Sequence, residues 1–376
     1  FAARSVNALV PDLLPVFAPA LPLGISFYIF TAIGYLADVA NGKVKAARSP
    51  FRFFVFLAFF GHGPSGPIVR YDQQLPYLDA KAAERQVSLD RFCYGIKRLV
   101  LGLAKKALIA DQLALIYARV TSVPAATLPA PALVLGYLAY MMQLYFDFSG
   151  YSDMAIGIGS FFGLELPENF DYPYLARSIG EYWRRWHISL SGWFRDYVYI
   201  PLGGSRCSLA KNCRNLVIVF LLTGLWHGAA WQYVAFGLLH GVLLCAERLG
   251  LRTLLDRAPR LLAHLYTVGV LWFTLIIFGA HGLAEGLATW KGILTWQSGA
   301  RGYTLAAFAD TKLLLLLAAS LLLCGPVQAW FPRLKTALYA KTAPGPAGMV
   351  GLLVLLFFSL MRVTAGTYSA FIYFQF

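Results

Sequence analysis

The sequence predicts an all-α polytopic membrane protein, because its charge is low and its apolar residues are clustered. Of its 376 residues, 59% are hydrophobic and 13% are charged, and the mean hydropathy is +0.61. Soluble globular proteins carry about a quarter charged residues. Five of the uncharged stretches reach the roughly 20 residues that a membrane-crossing helix needs. The uncharged stretches are residues 13–37, 53–69, 120–146, 215–246, 261–280, 313–330 and 342–361.

The distribution of basic residues predicts the topology. The net charge is +14. Lys and Arg are concentrated in residues 41–52, 70–106, 177–214, 247–260 and 331–341. Cytoplasmic flanks carry the positive excess in membrane proteins, so these five segments are predicted to be cytoplasmic. Segments 121–131 and 281–312 are predicted to lie outside, and parity places the C-terminus outside. No linker divides the chain, and residues 1–376 are interpreted as one membrane-embedded domain.

The uncharged stretch 215–246 contains His227 in the sequence "LLTGLWHGAAW". Both flanks are predicted to be cytoplasmic, and 32 residues are too few for two crossings of about 20 residues each. We therefore predict two re-entrant arms of about 12 residues that meet near "WHGAA". This places His227 deep in the membrane, where an ionisable side chain is a candidate functional residue.

Two interpretations of His227 remain open at this point. One is a neutral histidine that only bridges helices. The other is a catalytic base, because a neutral imidazole can accept a proton. Gly228 allows close approach of another group to the backbone, and Trp226 and Trp231 can form an apolar wall. These neighbours favour the second interpretation.

A second candidate segment is "EYWRRWHISLSGWFRDYVYIPLGGSR", residues 181–206. Its spacing predicts one amphipathic helix at the cytoplasmic interface. An interfacial anchor would explain the Trp and Arg content, but not His187 on the apolar face. That face comprises Trp183, Trp186, His187, Leu190 and Phe194, and the polar face comprises Arg184, Ser191 and Arg195.

Two aspartates interrupt the apolar sequence "QLYFDFSGYSDMAIGIG", residues 143–159. Asp147 and Asp153 need partners inside an apolar bundle, and the helix carrying Arg184 and Arg185 is expected to supply them. The glycines of this segment, Gly150, Gly157 and Gly159, suit close helix packing.

Two other features are interpreted as structural. The Gly- and Pro-rich sequence "FFGHGPSGPIVRY", residues 59–71, predicts a re-entrant or interfacial loop, and His62 within it is interpreted as structural. The cysteines show no metal-ligand spacing and are expected to be free thiols, so no metal site is predicted. They are Cys93, Cys207, Cys213, Cys245 and Cys324.

An ordered set of motifs resembles the membrane-bound O-acyltransferase (MBOAT) family, in its bacterial polysaccharide branch of alginate O-acetyltransferases. The matching strings run from near the start of the chain to its last residue. They are "PLGISFYIF", "GPIVRY", "LYFDFSGYSDMAIGIG", "PENFDYPYLARSI", "EYWRRWHISLSGWFRDYVYIPLGG", "RNLVIVFLLTGLWHGAAW" and "FIYFQF". The "GHGPSGPIVR" loop departs from the family pattern. The chain begins at Phe1 rather than Met, and relatives carry further helices before "PLGISFY", so we expect N-terminal helices to be missing.

The resemblance implies an MBOAT-like helical bundle with a funnel on each face and a tunnel that joins the funnels at His227. It implies that His227 is catalytic and that His187 is the second signature polar residue, a position held by Asn, Asp or His in different branches. Further candidates for the donor or acceptor channel are Trp226, Trp231, Asp147, Asp153, Tyr182, Arg184, Arg185, Arg195 and Asp196. Candidates for the phosphates of coenzyme A are Arg184, Arg185, Arg195, Arg206, Lys211 and Arg214.

The implied reaction is acetyl transfer from cytoplasmic acetyl-CoA, a substrate rather than a bound cofactor, toward an extracytoplasmic polysaccharide. The implied partners are a periplasmic acetyltransferase or esterase-like protein, the polysaccharide synthesis machinery and membrane lipid, with no nucleic acid. The implied location is the bacterial inner membrane. Three alternatives remain: D-alanyl transfer to teichoic acid by a related branch, a transporter with a broken helix, and a passive scaffold for a polymer synthase.

Overall fold

The computed structural model of the chain describes residues 24–59, 65–79, 87–300 and 302–366, together with Ser5, Asn7, Val10 and Leu13. His62 and the terminal string "FIYFQF" lie outside the described residues. Within the described part no β-strand is present, and a single antiparallel bridge joins Phe170 to Trp186. The predicted all-α class is confirmed.

Eighteen α-helices are described, and they are numbered in chain order. They are α1 Ile25–Ala40, α2 Pro50–Leu57, α3 Tyr71–Asp79, α4 Leu89–Ala104, α5 Asp111–Thr121, α6 Ala130–Phe161, α7 Ile179–Arg185, α8 Ile188–Phe194, α9 Leu209–His227, α10 Trp231–Ala246, α11 Arg252–Arg257, α12 Arg260–Gly279, α13 Leu283–Leu294, α14 Leu305–Phe308, α15 Thr311–Leu323, α16 Pro326–Trp330, α17 Pro332–Tyr339 and α18 Pro346–Thr364. π-helical turns follow α4 (Lys105–Ala110), α8 (Arg195–Tyr199) and α10 (Glu247–Leu251).

Four of the described helical segments are long and apolar enough to cross a membrane. They are Leu209–His227, Trp231–Arg257, Arg260–Gly279 and Pro346–Thr364. Shorter apolar helices are Ile25–Ala40 and Thr311–Leu323. The chain is a multi-pass membrane protein.

Helix α6 is the centre of the bundle, and most of its 32 residues are buried. It packs closely on α4, because a Cβ at Gly102 would fall on the carbonyl of Gly150, and a Cβ at Gly157 would fall 2.6 Å from the carbonyl of Gly95. The predicted close packing at Gly150 and Gly157 is therefore present. Helix α6 also extends past Asp147, where the uncharged stretch ended, because its aspartates are neutralised by basic residues of neighbouring segments.

Helices α9 and α10 correct the prediction of two 12-residue arms. They meet at Gly228–Ala230, as expected, but α9 has 19 residues and α10 has 16. Helix α9 begins upstream of Lys211 and Arg214, whose long side chains can reach the interface while their backbone is already helical. The charge-free stretch therefore gave too short a length for α9. Each of the two helices is part of a segment long enough to cross the membrane.

Candidate active site

His187 lies at a break in the predicted amphipathic helix. Helix α7 ends at Arg185, and α8 begins at Ile188. The break is stabilised from a distant segment, since the N–H of Asp171 donates to the carbonyl of Arg185 at 3.0 Å, and the N–H of Ile188 donates to the carbonyl of Asn169 at 3.0 Å. The prediction of one continuous helix is therefore wrong. Its buried face is present nonetheless, with Trp183, Trp186, His187, Leu190 and Phe194 all buried.

The backbone of His187 is in the left-handed region, with φ 46° and ψ 53°. This conformation costs an ordinary side chain about 1 kcal/mol or more. The side chain is 1% exposed. Its ring lies 4.6 Å from that of Phe148 and 6.3 Å from that of Phe27, measured between centroids. Neither ring nitrogen has a hydrogen-bond partner among the described residues. Buried polar groups are bonded as a rule, which makes His187 a candidate for bonding to a ligand or an ordered water.

His227 is the last residue of α9 and is 8% exposed. Its ring centroid lies 4.7 Å from Trp226, 4.9 Å from Phe278 and 6.4 Å from Tyr233. Gly228 is needed here, because a Cβ at this position would lie 2.5 Å from the ring of Tyr233. The predicted close approach at Gly228 is thus made by an aromatic ring of α10.

Trp226 forms a wall that the two imidazoles share. Its ring lies 4.7 Å from His227 and 5.9 Å from His187, and its indole N–H donates to the carbonyl of Ser26 at 3.0 Å. Both imidazoles therefore lie against the same indole ring. The structure therefore brings the two sequence-predicted histidines into one site, at the junction of α1, α8 and α9.

A cavity of about 620 Å³ lies next to this site, and its described lining includes neighbours of both histidines but neither histidine itself. Helix α9 lines it from Leu216 to Thr223, which lies one helical turn before His227. Residues 188–190, directly after His187, line it as well. The aromatic lining includes Trp183, Phe194 and Phe220, and the basic residues of the cavity are Arg70, Arg184, Arg195 and Arg248. All four arginines belong to segments predicted to be cytoplasmic.

Asp196 partly neutralises the charge of two arginines that line the cavity. Its carboxylate accepts from Arg195 Nε at 2.6 Å and forms a second ion pair with Arg70. Burial alone would raise the pKa of Asp196, but the hydrogen bond from Arg195 and the charge of Arg70 outweigh burial and lower this pKa below its usual value. The carboxylate is therefore ionised at neutral pH, and it lies between the guanidinium groups of Arg70 and Arg195.

Several predicted site residues lie elsewhere. Arg185 pairs with Glu181 and Asp171 and does not line the cavity. Arg206, Lys211 and Arg214 are also absent from its described lining. Tyr182 is buried and stacks on Trp186 at 5.6 Å. Trp231 is 54% exposed at the start of α10. Tyr233 rather than Trp231 lies beside His227.

The two aspartates of α6 have other partners than the predicted Arg184 and Arg185. Asp147 pairs with Lys106 at 2.7 Å, and Asp153 pairs with Lys105 at 2.6 Å and with Arg98. Lys105 and Lys106 lie in the π-helical turn after α4, which runs beside α6. These carboxylates therefore stabilise the bundle and do not belong to the cavity lining.

Sequence reasoning missed Arg70, Arg248, Phe148, Tyr233 and Phe278 as site residues. Arg70 stood within the quoted string "GPIVRY", which was a signal that could have identified it. The others are ordinary apolar or cytoplasmic residues in the sequence. The described residues include no cluster of His, Cys, Asp or Glu that could hold a metal ion.

Comparison with known proteins matches the membrane-bound O-acyltransferase family model to residues 45–284. The chain belongs to the MBOAT family. It is therefore a membrane-bound O-acyltransferase, and the matched region includes both histidines and the whole cavity.

Individual relatives cover different shares of this MBOAT chain. The probable alginate O-acetylase AlgI of Azotobacter vinelandii is 36% identical over 415 residues, which span all of this chain and 81% of the relative. The peptidoglycan O-acetyltransferase of Helicobacter pylori is 37% identical over 73% of this chain and 57% of its own length. The teichoic acid D-alanyltransferase of Bacillus subtilis is 33% identical over 59% of this chain and 58% of its own length.

Proposed function

We propose that this chain transfers an acetyl group from cytoplasmic acetyl-CoA toward the O-acetylation of an extracytoplasmic polysaccharide. The observation that carries the proposal is a cavity that is lined by four arginines and several aromatic rings and lies next to both histidines. Its lining includes Thr223, one helical turn before His227, and Ile188, directly after His187. The arginines can hold a charged donor while its uncharged arm packs against the aromatic rings.

The charge of the cavity favours a polyanionic donor. Coenzyme A carries several phosphate charges at one end and a long, nearly uncharged arm at the other. Arg184, Arg195 and Arg248 bring fixed positive charge to the cavity, and guanidinium groups match phosphate geometry. The apolar wall of Trp183 and Phe220 suits the uncharged arm, which would carry the acetyl group toward the histidines.

His227 acts as the general base in this proposal. Its neutral imidazole removes the proton from an acceptor hydroxyl as the hydroxyl oxygen attacks the thioester carbonyl. The new C–O bond forms, the C–S bond breaks, and the proton passes from His227 to the departing thiolate, which leaves as free coenzyme A. His187 donates to the carbonyl oxygen or orients the acceptor, and an acyl-histidine route would use the same two groups.

The acceptor is proposed from the names of the relatives. Alginate and peptidoglycan are the polymers named for two relatives of this chain, and cellulose is a third candidate. A periplasmic partner would receive the acetyl group and complete the transfer at the outer face of the inner membrane. The D-alanyl alternative is kept because a teichoic acid D-alanyltransferase is 33% identical. A mass measurement of the transferred group separates the two.

The test is acetyl-CoA turnover by the purified protein with acceptor or partner present. Release of free coenzyme A, together with a mass gain on the acceptor that equals an acetyl group in place of a hydrogen, supports the proposal. Uptake of intact solute by proteoliposomes without coenzyme A release would instead support a transporter.

Arg184 and Arg185 provide a matched pair for the donor site. Arg184→Gln is expected to raise the KM for acetyl-CoA about 3- to 10-fold, because one cation of the cavity is lost. The effect should shrink as salt is raised, since screening weakens the remaining charge interactions. Arg185→Gln should leave this KM near the wild-type value, because Arg185 is paired with Glu181 and Asp171. Equal effects of the two variants at every salt concentration would contradict a donor site in this cavity.

A further inference from the structure

A third buried histidine, His240, lies behind the wall of the donor cavity. It is on α10 and is 1% exposed. The indole N–H of Trp183 donates to His240 Nδ1 at 3.1 Å, and His240 Nε2 lies 3.1 Å from the hydroxyl oxygen of Thr274. The hydroxyl of Thr274 in turn donates to the carbonyl of Leu271 at 2.9 Å. These bonds connect α7, α10 and α12.

The direction of every bond in this chain follows from the chemistry of its first member. An indole nitrogen can only donate, so Nδ1 of His240 must be an acceptor and carries no hydrogen. The single hydrogen of the neutral ring is therefore on Nε2, where it points at the oxygen of Thr274. That oxygen accepts from the imidazole while its own hydrogen is donated to Leu271. Every polar atom from the indole to the carbonyl is satisfied.

The consequence for the cavity lies in what Trp183 presents to it. Trp183 lines the cavity, yet its indole N–H, the one hydrogen-bond donor of the side chain, is bonded to His240. An acyl-donor substrate in the cavity therefore meets an aromatic surface with no free N–H at this position. Phe220, whose ring centroid lies 5.0 Å from that of Trp183 in an edge-to-face arrangement, continues the same surface. The rings of Phe236 and Trp183 lie 4.5 and 5.2 Å from His240 and leave the imidazole little freedom to turn.

We propose that His240, supported by Thr274, is a positioning residue that fixes Trp183 as the apolar wall of the donor cavity. The ligand that would pack against this wall is the uncharged arm of an acyl-thioester donor, which ends in the thioester. In that respect the inference rests on the proposed function. His240 touches no substrate; it acts through Trp183. If His240 Nδ1 is removed, the indole of Trp183 loses its hydrogen-bond acceptor. The indole is then free to turn, and its unpaired N–H is presented to the arm of the acyl donor.

The kinetic test is a double-mutant cycle in the full-length protein. His240→Phe is expected to raise the KM for acetyl-CoA about tenfold with little change in kcat, since a buried donor that loses its partner carries a penalty of that order. His240→Asn should recover part of the loss, because its amide oxygen can replace Nδ1 as acceptor. In a Trp183→Phe background, His240→Phe should add nothing further. Additive effects, or a fall in kcat at constant KM, would overturn the positioning role.

A second measurement judges the hydrogen-bond chain without any turnover. With 5-fluorotryptophan incorporated, the fluorine resonance of Trp183 is identified as the line that Trp183→Phe removes. His240→Phe should shift this line and Thr274→Val should shift it less, whereas His281→Phe, at an exposed position, should leave it in place. An unmoved line in His240→Phe would overturn the inference. If the wild-type protein turns over no acetyl-CoA, the proposed function fails, while the fluorine line still decides whether His240 holds Trp183.

Discussion

Replacing His227 by Ala is expected to lower acetyl-CoA turnover by about 10²–10⁴-fold, because general-base catalysis contributes a factor of that size. In the described part of the chain His187 is the other imidazole that packs against Trp226. It lies at the start of α8 and does not occupy the position of His227 at the end of α9, so we do not expect it to replace the base.

The fold should survive this substitution. Loss of the imidazole leaves at most one polar partner unpaired, at a cost of about 1–3 kcal/mol in the free energy of unfolding. The measurements are coenzyme A release per folded molecule and a thermal melt in detergent. His281→Ala, which removes an exposed histidine, is the control and should retain both. Near-normal turnover by the His227→Ala protein would remove the base from the proposed mechanism, and failure to fold would assign His227 a structural role.

Replacing Lys106 by Met is expected to destabilise the protein by about 3–5 kcal/mol, the range for removing one partner of a buried ion pair. Lys106 is 2% exposed, and its Nζ lies 2.7 Å from carboxylate oxygens of both Asp111 and Asp147. Without this amine the buried carboxylates of Asp111 and Asp147 both lose their ion pair with Lys106. A thermal melt in detergent measures the loss.

The neighbouring Lys105 is the matched control for this prediction. Lys105→Met should cost much less, because Lys105 is partly exposed and its partner Asp153 keeps the ion pair with Arg98. Adding Asp147→Asn to Lys106→Met should recover stability, since it removes one of the two buried carboxylate charges that lost their ion pair with Lys106. A Lys106→Met protein that melts like the wild type, or an Asp147→Asn change that lowers stability further in that background, would contradict this account of the cluster.

The features predicted well from the sequence were those that depend on local composition and spacing. The apolar face of residues 183–194 is buried as its periodicity indicated, and His227 lies where α9 meets α10. Gly150 pairs with Gly102 in the contact between α6 and α4. The buried face and the helix junction follow from residues within a few turns of one another, whereas for Gly150 the sequence indicated close packing but not the partner.

The features that were missed depend on contacts between distant segments. The helix break at His187 is stabilised by backbone bonds to residues 169–171, and no local propensity in residues 181–194 reveals it. Arg70 and Arg248 reach the cavity from opposite parts of the chain. The partners of Asp147 and Asp153 come from α4 and from the π-helical turn that follows it, which are distant in the sequence, and hydropathy cannot indicate such a pairing.

The left-handed backbone at His187 has a consequence for which amino acids the position can accept. Among residues with a side chain, Asn, Asp and His are enriched several-fold in this region of backbone space, whereas β-branched and bulky residues are genuine outliers there. A substitution such as Val or Ile would strain the main chain before any question of reactivity arose. Asn, Asp and His, the residues that the family resemblance implies at this position, are all among those that the turn between α7 and α8 tolerates. The backbone conformation and the need for a hydrogen-bonding side chain therefore restrict residue 187 together.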